Sequence, residues 1–401
     1  MKELKSGAAS ALFFSTTAFA VSFAVWGLVA ALAPIFSQEY GLSAKAKSLM
    51  IAIPVLLGSL GRIPAGMLAD RFGGRKVFSA LLLLSAIPAI GIGLSNTYGQ
   101  LLWLGVVLGM SGTSFAIGVS FASRWFSREQ QGTALGIFGM GNIGQSVVVF
   151  CAPVLAVWLS SWRPVFFIFA AISAVWSVVF FLFARDAGVP TKPKTVGENL
   201  DLLRRSPTAW ILSLFYFVTF GGFVAFSIYL PTLLRDLFRL TPADAGARTA
   251  GFVLLATLTR PLGGMLADRL GGSRVLIGVF ASIAVLGVLM GCPWMPTFTI
   301  GALGAATALG LGNGAVFKLV PEHFPKETGT VTGLVGAFGG LGGFFPPLVL
   351  GFIRDYTGGY AIGFVLLALT SVLCLVINYF VFTRSEYKIS ATKTLDAQSA
   401  H

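Results

Sequence analysis

The sequence predicts an all-α polytopic membrane protein with twelve transmembrane helices in two six-helix bundles. Three observations predict this class. Of the 401 residues, 56% are hydrophobic and only 11% are charged. The apolar residues form long runs, and part of the first half of the chain is repeated in the second. A soluble domain carries roughly a quarter charged residues, so most of this chain must face lipid.

Each apolar run is long enough to cross a bilayer, because a transmembrane helix needs roughly 20 such residues. The twelve predicted spans lie near residues 11–36, 46–69, 77–95, 100–122, 131–155, 163–184, 208–232, 247–267, 275–292, 296–318, 329–353 and 359–383. The first run continues to Phe36, which is too long for the core of a signal peptide, so we interpret it as a span.

The longest polar stretch between two spans covers residues 185–207 and contains prolines and charges. It predicts a cytoplasmic linker between an N-terminal bundle at 1–184 and a C-terminal bundle at 208–383. The remaining residues, 384–401, are expected to form a cytoplasmic tail.

The positive charge of the chain lies mainly in the loops. With both termini and the linker on one side, 18 Lys and Arg residues lie on that side and 7 on the other. Cytoplasmic loops carry the excess of basic residues, so we predict a multi-pass protein of the bacterial inner membrane with both termini cytoplasmic. Because the basic residues are dispersed in short clusters, the net charge of +13 does not indicate a nucleic-acid partner. The expected state is a monomer surrounded by membrane lipid.

The sequence lacks the patterns of a metal site or of a common catalytic centre. Its three cysteines, Cys151, Cys292 and Cys374, are isolated within apolar runs. No His/Cys/Asp/Glu cluster, Ser-His-Asp order or phosphate-binding loop occurs in the chain. We therefore expect no metal, no cofactor and no enzymatic activity.

Two segments of the chain are similar at an offset of 198 residues. Residues 62–77 and 260–275 share ten identities in sixteen positions, and a weaker similarity relates 131–145 to 328–343. The first pair lies at the ends of spans 2 and 8, and the second lies in spans 5 and 11. Two repeated halves are typical of secondary transporters, which bind substrate between the halves near the midplane of the bilayer.

Arg62 and Arg260 each precede an aspartate, Asp70 and Asp268, by eight residues. At 1.5 Å per residue the separation is about 12 Å, which places each arginine near the middle of the hydrocarbon core. All 15 acidic residues lie in loops, tails or span ends, so no mid-span carboxylate can neutralise these charges. A guanidinium group donates in parallel to two oxygens, which suits a small planar oxyanion. We predict that the two arginines bind the substrate together.

Several motifs resemble those of a known transporter family. "DRFGGRK" (70–76) and its copy "DRLGGSR" (268–274) resemble the cytoplasmic loop signature of the major facilitator superfamily. The arginine pair, "GIFGMGNIG" (136–144) and "VPEHFPKETGTVTGLVGAFGGLGGFFPP" (320–347) together resemble the nitrate/nitrite porter family, the last two being similar to its nitrate signatures. The resemblance implies a major facilitator fold and transport of nitrate, nitrite or both by alternating access.

The same resemblance implies further contacts to the substrate. Asn142 matches the asparagine of the first nitrate signature, and an amide at membrane depth can donate to an anion. Tyr216 and Phe220 in span 7 and Phe115 in span 4 match cavity aromatics of the family. Tyr216 would supply a hydroxyl donor and the two phenylalanines apolar walls, although each aromatic also fits a role in the hydrophobic core.

The repeated loops are interpreted as parts of a gate. The resemblance favours ion pairs between the two aspartates and nearby basic residues, namely Arg71 and Arg75 for Asp70, and Arg269 and Arg274 for Asp268. A solvated loop that only sets topology is the alternative. Lys318, at the end of span 10, is expected to extend to the membrane interface.

Glycines leave one face of spans 5 and 11 without side chains, with spacings of three and four residues from Gly329 to Gly343 and from Gly132 to Gly139. This pattern predicts close helix packing. The glycines concerned are Gly136, Gly139, Gly141, Gly144, Gly333, Gly336, Gly340 and Gly343.

Two alternatives stay open at this point. An empty carrier would bury two uncompensated cations, which favours exchange of one anion for another. The family that the chain resembles nevertheless includes both nitrate/nitrite exchangers and nitrate/proton symporters. A major facilitator transporter for another small organic or inorganic anion is the alternative substrate class. The internal repeat argues against a receptor or a channel.

Overall fold

The computed structural model describes residues 6–187 and 195–384, and within this part of the chain twelve helices are long and apolar enough to cross a membrane. The twelve spans are Ala8–Glu39, Leu49–Phe72, Gly74–Gly93, Tyr98–Ser123, Gln131–Trp158, Arg163–Phe183, Pro207–Phe238, Asp244–Leu270, Gly272–Met290, Met295–His323, Thr328–Arg354 and Ala361–Thr383. A helix satisfies its backbone hydrogen bonds internally, which the interior of a bilayer requires. The predicted all-α fold is confirmed.

Spans 1–6 form the N-terminal half of the molecule and spans 7–12 the C-terminal half. Between them lies a short helix, Val196–Arg205, that begins with a capping box formed by Thr195 and Glu198. The rest of the predicted linker, at 188–194, and the tail from 385 onwards lie outside the described residues. We call the end of the bundle at which span 6 ends and span 7 begins the linker end, and the opposite end the far end.

The repeated Asp-Arg-x-Gly-Gly motif forms the same tight turn in both halves. Gly73 has a φ of 89° and Gly271 a φ of 94°, in the region that favours glycine. Each of these residues ends an even-numbered span and begins the next helix without a longer loop. The repeat therefore specifies two matching helical hairpins at the linker end.

Four spans of the N-terminal half are interrupted, and span 1 is divided at Leu32 into the helices Ala8–Ala31 and Ala33–Glu39. Span 2 is divided at Gly61 into the helices Ala44–Leu60 and Arg62–Phe72. Spans 4 and 5 each contain a short 3₁₀ segment, Gly109–Thr113 and Met140–Asn142. Spans 8, 10 and 11 of the C-terminal half are continuous helices. Such 3₁₀ segments inside a helix often mark functional positions, and both lie close to the arginines described below.

The two halves contact each other through two matching helix pairs, span 2 with span 11 and span 5 with span 8. At the first crossing a Cβ atom on Gly66 would overlap the carbonyl oxygen of Gly329. At the second crossing a Cβ atom on Gly264 would overlap the carbonyl oxygen of Gly132. Glycine at all four positions lets the backbones approach this closely.

The outer faces of the bundle expose large apolar side chains. Examples are Ile87 in span 3, Val154 in span 5 and Leu369 in span 12, each more than half exposed. Such faces fit a lipid environment, as the composition of the chain predicts. The interior holds one cluster around the interface and the C-terminal half, and a second in the N-terminal half towards the far end.

Candidate anion-binding site between the two halves

Arg62 and Arg260 are both buried, with only 1% and 3% of their surface exposed. Arg62 Nε donates to the carbonyl of Gly112 at 3.1 Å, and its Nη1 donates to the carbonyl of Gly336 at 2.6 Å. Arg260 Nη1 donates to the carbonyl of Gly139 at 3.2 Å, and its Nη2 to the hydroxyl of Tyr216 at 3.0 Å. Each arginine thus bonds a backbone carbonyl of the opposite half.

Glycine allows each guanidinium group to reach the opposite helix. A Cβ atom on Gly139 would lie 3.1 Å from Arg260 Nε, and one on Gly336 would lie 3.0 Å from Arg62 Cδ. Gly112 lies within the 3₁₀ segment of span 4, and Gly139 directly precedes that of span 5. The distorted helices therefore supply two of the carbonyls that orient the arginines.

Neither arginine forms a salt bridge within the part of the chain that the structure describes. Among those residues each guanidinium group uses only two of its five N–H donors. Two buried positive charges with unused donors are costly unless an anion compensates them. That the two arginines bind an anion together, as the absence of mid-span acids predicts, stays a prediction.

Aromatic rings line the space around the guanidinium groups. The Phe220 ring centroid lies 5.8 Å from Arg62 Cζ and 5.5 Å from Arg260 Cζ, so one ring contacts both cations. Tyr216 stacks on Phe220 at 4.9 Å between centroids, and Phe115 stacks on Tyr216 at 6.1 Å. Phe115 also lies 5.8 Å from Arg62 Cζ. The rings place apolar groups around the guanidinium groups, and a low dielectric strengthens the electrostatic field of the arginines.

Asn142 lies in the 3₁₀ segment of span 5 and is buried. It follows by three residues Gly139, which accepts a hydrogen bond from Arg260. Neither polar atom of its side chain has a hydrogen-bond partner among the described residues. This unpaired amide, one helical turn from a carbonyl that accepts from Arg260, is available to a ligand.

Phe317 in span 10 belongs to the same cluster and was not singled out from the sequence. Its ring packs edge-to-face on Phe115 at 4.8 Å and on Tyr216 at 4.6 Å between centroids. No local pattern distinguishes Phe317 from the other 35 phenylalanines of the chain, 36 in total. Its position becomes evident only when spans 4, 7 and 10 are packed together.

Asp70, at the linker end of span 2, joins the two halves. Its Oδ2 accepts hydrogen bonds from the backbone N–H and the hydroxyl of Thr330 at 2.8 and 3.0 Å. Its Oδ1 accepts from the backbone N–H of Gly329 at 3.1 Å and from the hydroxyl of Ser120 at 2.8 Å. Arg124 completes the group with an ion pair of 3.0 Å to Oδ1. The carboxylate therefore caps the first turn of span 11.

Asp268 makes the corresponding contacts in the C-terminal half. Its Oδ1 accepts from the backbone N–H of Gly132 at 2.8 Å, and its Oδ2 from the backbone N–H and hydroxyl of Thr133 at 2.6 and 2.8 Å. Lys318 forms an ion pair with Oδ1 at 3.1 Å and also donates to the carbonyl of Arg128. We call Asp70 and Asp268, together with the residues that bond their carboxylates, the linker-end gate. Both hold the halves together in this structure.

The cations that pair with Asp70 and Asp268 are Arg124 and Lys318, so the partners predicted from the sequence were wrong. Arg71 neighbours Asp70 in the helix, where adjacent side chains point in different directions, and it lies over the Phe72 ring instead. Arg75 donates to the carbonyl of Phe181 at 2.7 Å. For Asp268 the ion-pair partner is Lys318 in place of the expected Arg269 or Arg274. Lys318 is 6% exposed, so the expectation that it extends to the membrane interface was wrong.

The glycines of spans 5 and 11 lie at close helix contacts. At each of the eight positions an added Cβ atom would come within 3.1 Å of a neighbouring helix. Four of them pack directly against an arginine of the site or against the residue after it. Gly136 and Gly139 contact Arg260, and Gly333 and Gly336 contact Arg62. The remaining four contact spans 1, 2 and 7: Gly141 meets Phe19, Gly144 meets Ala20, Gly340 meets Ser59 and Gly343 meets Val224.

Comparison with known proteins agrees with this architecture. The sequence matches the Major Facilitator Superfamily over residues 14–243 and 212–400. It is 40% identical to a nitrite extrusion protein of Bacillus subtilis, over 94% of this chain and 95% of that protein. It is 36% identical to a probable nitrate/nitrite antiporter of Thermus thermophilus, over 86% and 85% of the two chains. The chain belongs to the nitrate/nitrite porter family of the major facilitator superfamily.

The fold of this nitrate/nitrite porter family member is also that of distant solved structures. The human organic anion transporter MFSD10 superimposes with a TM-score of 0.77 over 92% of this chain and 99% of that one, at 16% sequence identity. At that identity the likeness concerns the fold alone. The porter is a multi-pass membrane protein, and the two-half architecture predicted from its repeat is confirmed.

Proposed function

We propose that this porter is a secondary active transporter that carries nitrate and nitrite by alternating access, with the anion held between Arg62 and Arg260. The observation that carries the proposal is the pair of buried guanidinium groups, one from each half, without a carboxylate partner among the described residues. Nitrate is planar with three oxygens and nitrite is bent with two, and both fit parallel N–H donors. The names of the two relatives, a nitrite extrusion protein and a probable nitrate/nitrite antiporter, support the same substrate class.

The other site residues have matching roles in this proposal. Tyr216 positions Arg260 through its hydroxyl, and Asn142 offers its amide to the anion. Phe115 and Phe220 form apolar walls around the arginines. Opening towards the linker end requires the contacts of Asp70 with Thr330 and of Asp268 with Thr133 to break.

We further propose that transport is an exchange of anions. An empty site leaves two buried cations uncompensated, so rocking of the halves is favoured when an anion is bound. The excess of Lys and Arg in the loops of the linker end supports a cytoplasmic location of both termini. The linker-end gate is then the inner gate, and the porter is a monomer of the bacterial inner membrane.

Counterflow in proteoliposomes tests the substrate and the mode together. We expect uptake of labelled nitrate into vesicles loaded with nitrite or nitrate, and none into vesicles without an internal anion. Uptake driven by a pH gradient alone, with no anion inside, would exclude obligate exchange and favour proton symport.

Competition tests the alternative substrate class. Unlabelled nitrite should compete with nitrate uptake, whereas phosphate, which is larger and tetrahedral, should not. Inhibition by phosphate or formate as strong as that by nitrite would contradict a nitrate/nitrite site and favour a transporter of another small anion.

A further inference from the structure

Asn313 in span 10 is a buried amide without a partner. It is 2% exposed, and neither Nδ2 nor Oδ1 has a hydrogen bond to the described residues. Buried polar atoms are nearly always paired, because an unpaired one destabilises the fold. Asn378, which is also buried, differs because its Nδ2 donates to the carbonyl of Ser273 at 2.8 Å, and only its Oδ1 has no partner among the described residues. The described part of the fold does not use the Asn313 amide.

The neighbours of Asn313 show which way its helix face is turned. Phe317 follows by four residues and shares that face, because residues four apart lie above one another on a helix. The Phe317 ring contacts Phe115 and Tyr216 of the anion-binding site. A Cβ atom on Gly314 would overlap the carbonyl oxygen of Arg260. Asn313 is therefore next in sequence to a residue that packs on the Arg260 backbone, and it shares a helix face with Phe317, which contacts the site.

Helix direction brings the two functional groups into one layer. Spans 8 and 10 are both even-numbered, so both run from the far end to the linker end. Side chains on a helix lean towards its N-terminus. From neighbouring backbone positions, the Arg260 guanidinium group and the Asn313 amide thus both lean towards the far end.

We propose that Asn313 donates a hydrogen bond from Nδ2 to the anion held by Arg62 and Arg260, and that it determines the preference between nitrate and nitrite. This inference rests on the proposed function. Asn142 is the other unpaired amide of the site, so each half supplies one guanidinium group and one amide. Nitrate has one more accepting oxygen than nitrite, so it gains more than nitrite does from an amide N–H placed beside the arginine pair. Loss of the Asn313 amide consequently weakens nitrate binding more than nitrite binding.

Asn313→Leu tests the proposal, with Asn378→Leu as the matched control. Leucine has the same branching at Cγ, a larger volume and no polar atom. We expect Asn313→Leu to weaken nitrate binding about tenfold or more and nitrite binding less, as for a hydrogen bond to a charged group. Its melting temperature without anion should stay unchanged or rise, because an unpaired buried amide has been removed. Asn378→Leu should lower that melting temperature and leave both affinities unchanged.

Asn313→Ser is a second variant in case leucine does not fit. Its short hydroxyl does not reach the anion, so the same selective loss of nitrate affinity is expected. The inference is overturned if both variants bind nitrate within about twofold of the wild type while Arg260→Lys loses binding. It is also overturned if Asn313→Leu lowers the anion-free melting temperature as Asn378→Leu does, with the nitrate-to-nitrite affinity ratio unchanged. Absence of nitrate and nitrite binding in the wild type would instead refute the proposed function.

Discussion

Lys318 and Ser120 occupy matching positions of the internal repeat, at the offset of 198 residues that also relates Asp268 to Asp70. Each donates to Oδ1 of the aspartate in its own half, Ser120 at 2.8 Å and Lys318 at 3.1 Å. The N-terminal half adds a cation from a different position, Arg124, whose side chain is 18% exposed. The Lys318 side chain is 7% exposed. The two groups of the linker-end gate are therefore similar in geometry and different in electrostatics.

This difference predicts unequal effects of Asp268→Asn and Asp70→Asn on stability. Asp268→Asn leaves a buried ammonium group without its counter-charge, a change that costs about 3–5 kcal/mol in buried pairs. Asp70→Asn also removes the counter-charge of a cation, but Arg124 is more exposed than Lys318, so water hydrates its charge better. We expect the first variant to lower the melting temperature of the detergent-solubilised porter by more than the second.

A double-mutant cycle checks the cause. Adding Lys318→Ser to Asp268→Asn should recover much of the lost stability, because the unpaired charge is removed and the serine of the other half is reproduced. Adding Arg124→Ser to Asp70→Asn should recover less. Equal recovery in both halves would show that the burial of Lys318 does not matter to the gate.

The crossings of the two halves predict a second effect, from added methyl groups. Gly66→Ala and Gly264→Ala each place a Cβ atom on a backbone carbonyl of the opposite half, at Gly329 and Gly132. Overpacking of this kind lowers the free energy of unfolding by about 1–3 kcal/mol. Here it destabilises the conformation that is closed at the linker end. We expect both variants to reduce nitrate counterflow and thermal stability.

Gly278→Ala is the matched control, because an added Cβ atom at that position in span 9 meets nothing within 4 Å. Its transport rate and melting temperature should equal those of the wild type. If Gly66→Ala and Gly264→Ala behaved like Gly278→Ala, the close crossings would not be required for transport.

The equivalent positions of the two arginines, one in each half, could be predicted from the sequence because they depend on regular features. Helical rise fixes the distance from Asp70 to Arg62, and the repeat fixes the equivalent position of Arg260. The partners of these residues could not be predicted in the same way. Arg62 bonds the carbonyl of Gly336, and a backbone carbonyl has no signature in the sequence.

The linker-end gate shows a second limit. Adjacent residues suggested the partners of Asp70 and Asp268, whereas the cations that pair with them come from spans 4 and 10. Arg124 is 54 residues from Asp70 in sequence. Only the packing of spans 2 and 4 brings them within ion-pair distance, so the sequence indicated the acid of each pair and not its base.

The arginine pair predicts the effect of conservative substitutions. Arg62→Lys and Arg260→Lys keep the positive charge and lose the planar donors that bond a carbonyl and an oxyanion at once. We expect each variant to weaken nitrate affinity by about tenfold to a hundredfold, equivalent to roughly 1.4–2.8 kcal/mol. Arg71→Lys, which changes an exposed arginine of the same span, should leave affinity unchanged. Wild-type nitrate affinity in both Arg62→Lys and Arg260→Lys would show that a positive charge without planar donors is enough to bind nitrate.

Tyr216→Phe tests how the Tyr216 hydroxyl contributes to anion binding. Among the described residues, Tyr216 supplies the one side chain that forms a hydrogen bond with Arg260. The change removes the hydroxyl that accepts from Arg260 Nη2 at 3.0 Å and keeps the ring that stacks on Phe220. Loss of one hydrogen bond to a charged group costs about 1.5–3 kcal/mol, part of which is recovered if the freed N–H donates to the anion. We therefore expect a moderate loss of nitrate affinity, smaller than that of Arg260→Lys, with the fold intact.

Tyr229→Phe, in the same span but outside the arginine cluster, provides the control and should bind nitrate as the wild type does. A loss in Tyr216→Phe as large as in Arg260→Lys would mean that the hydroxyl itself contacts the substrate.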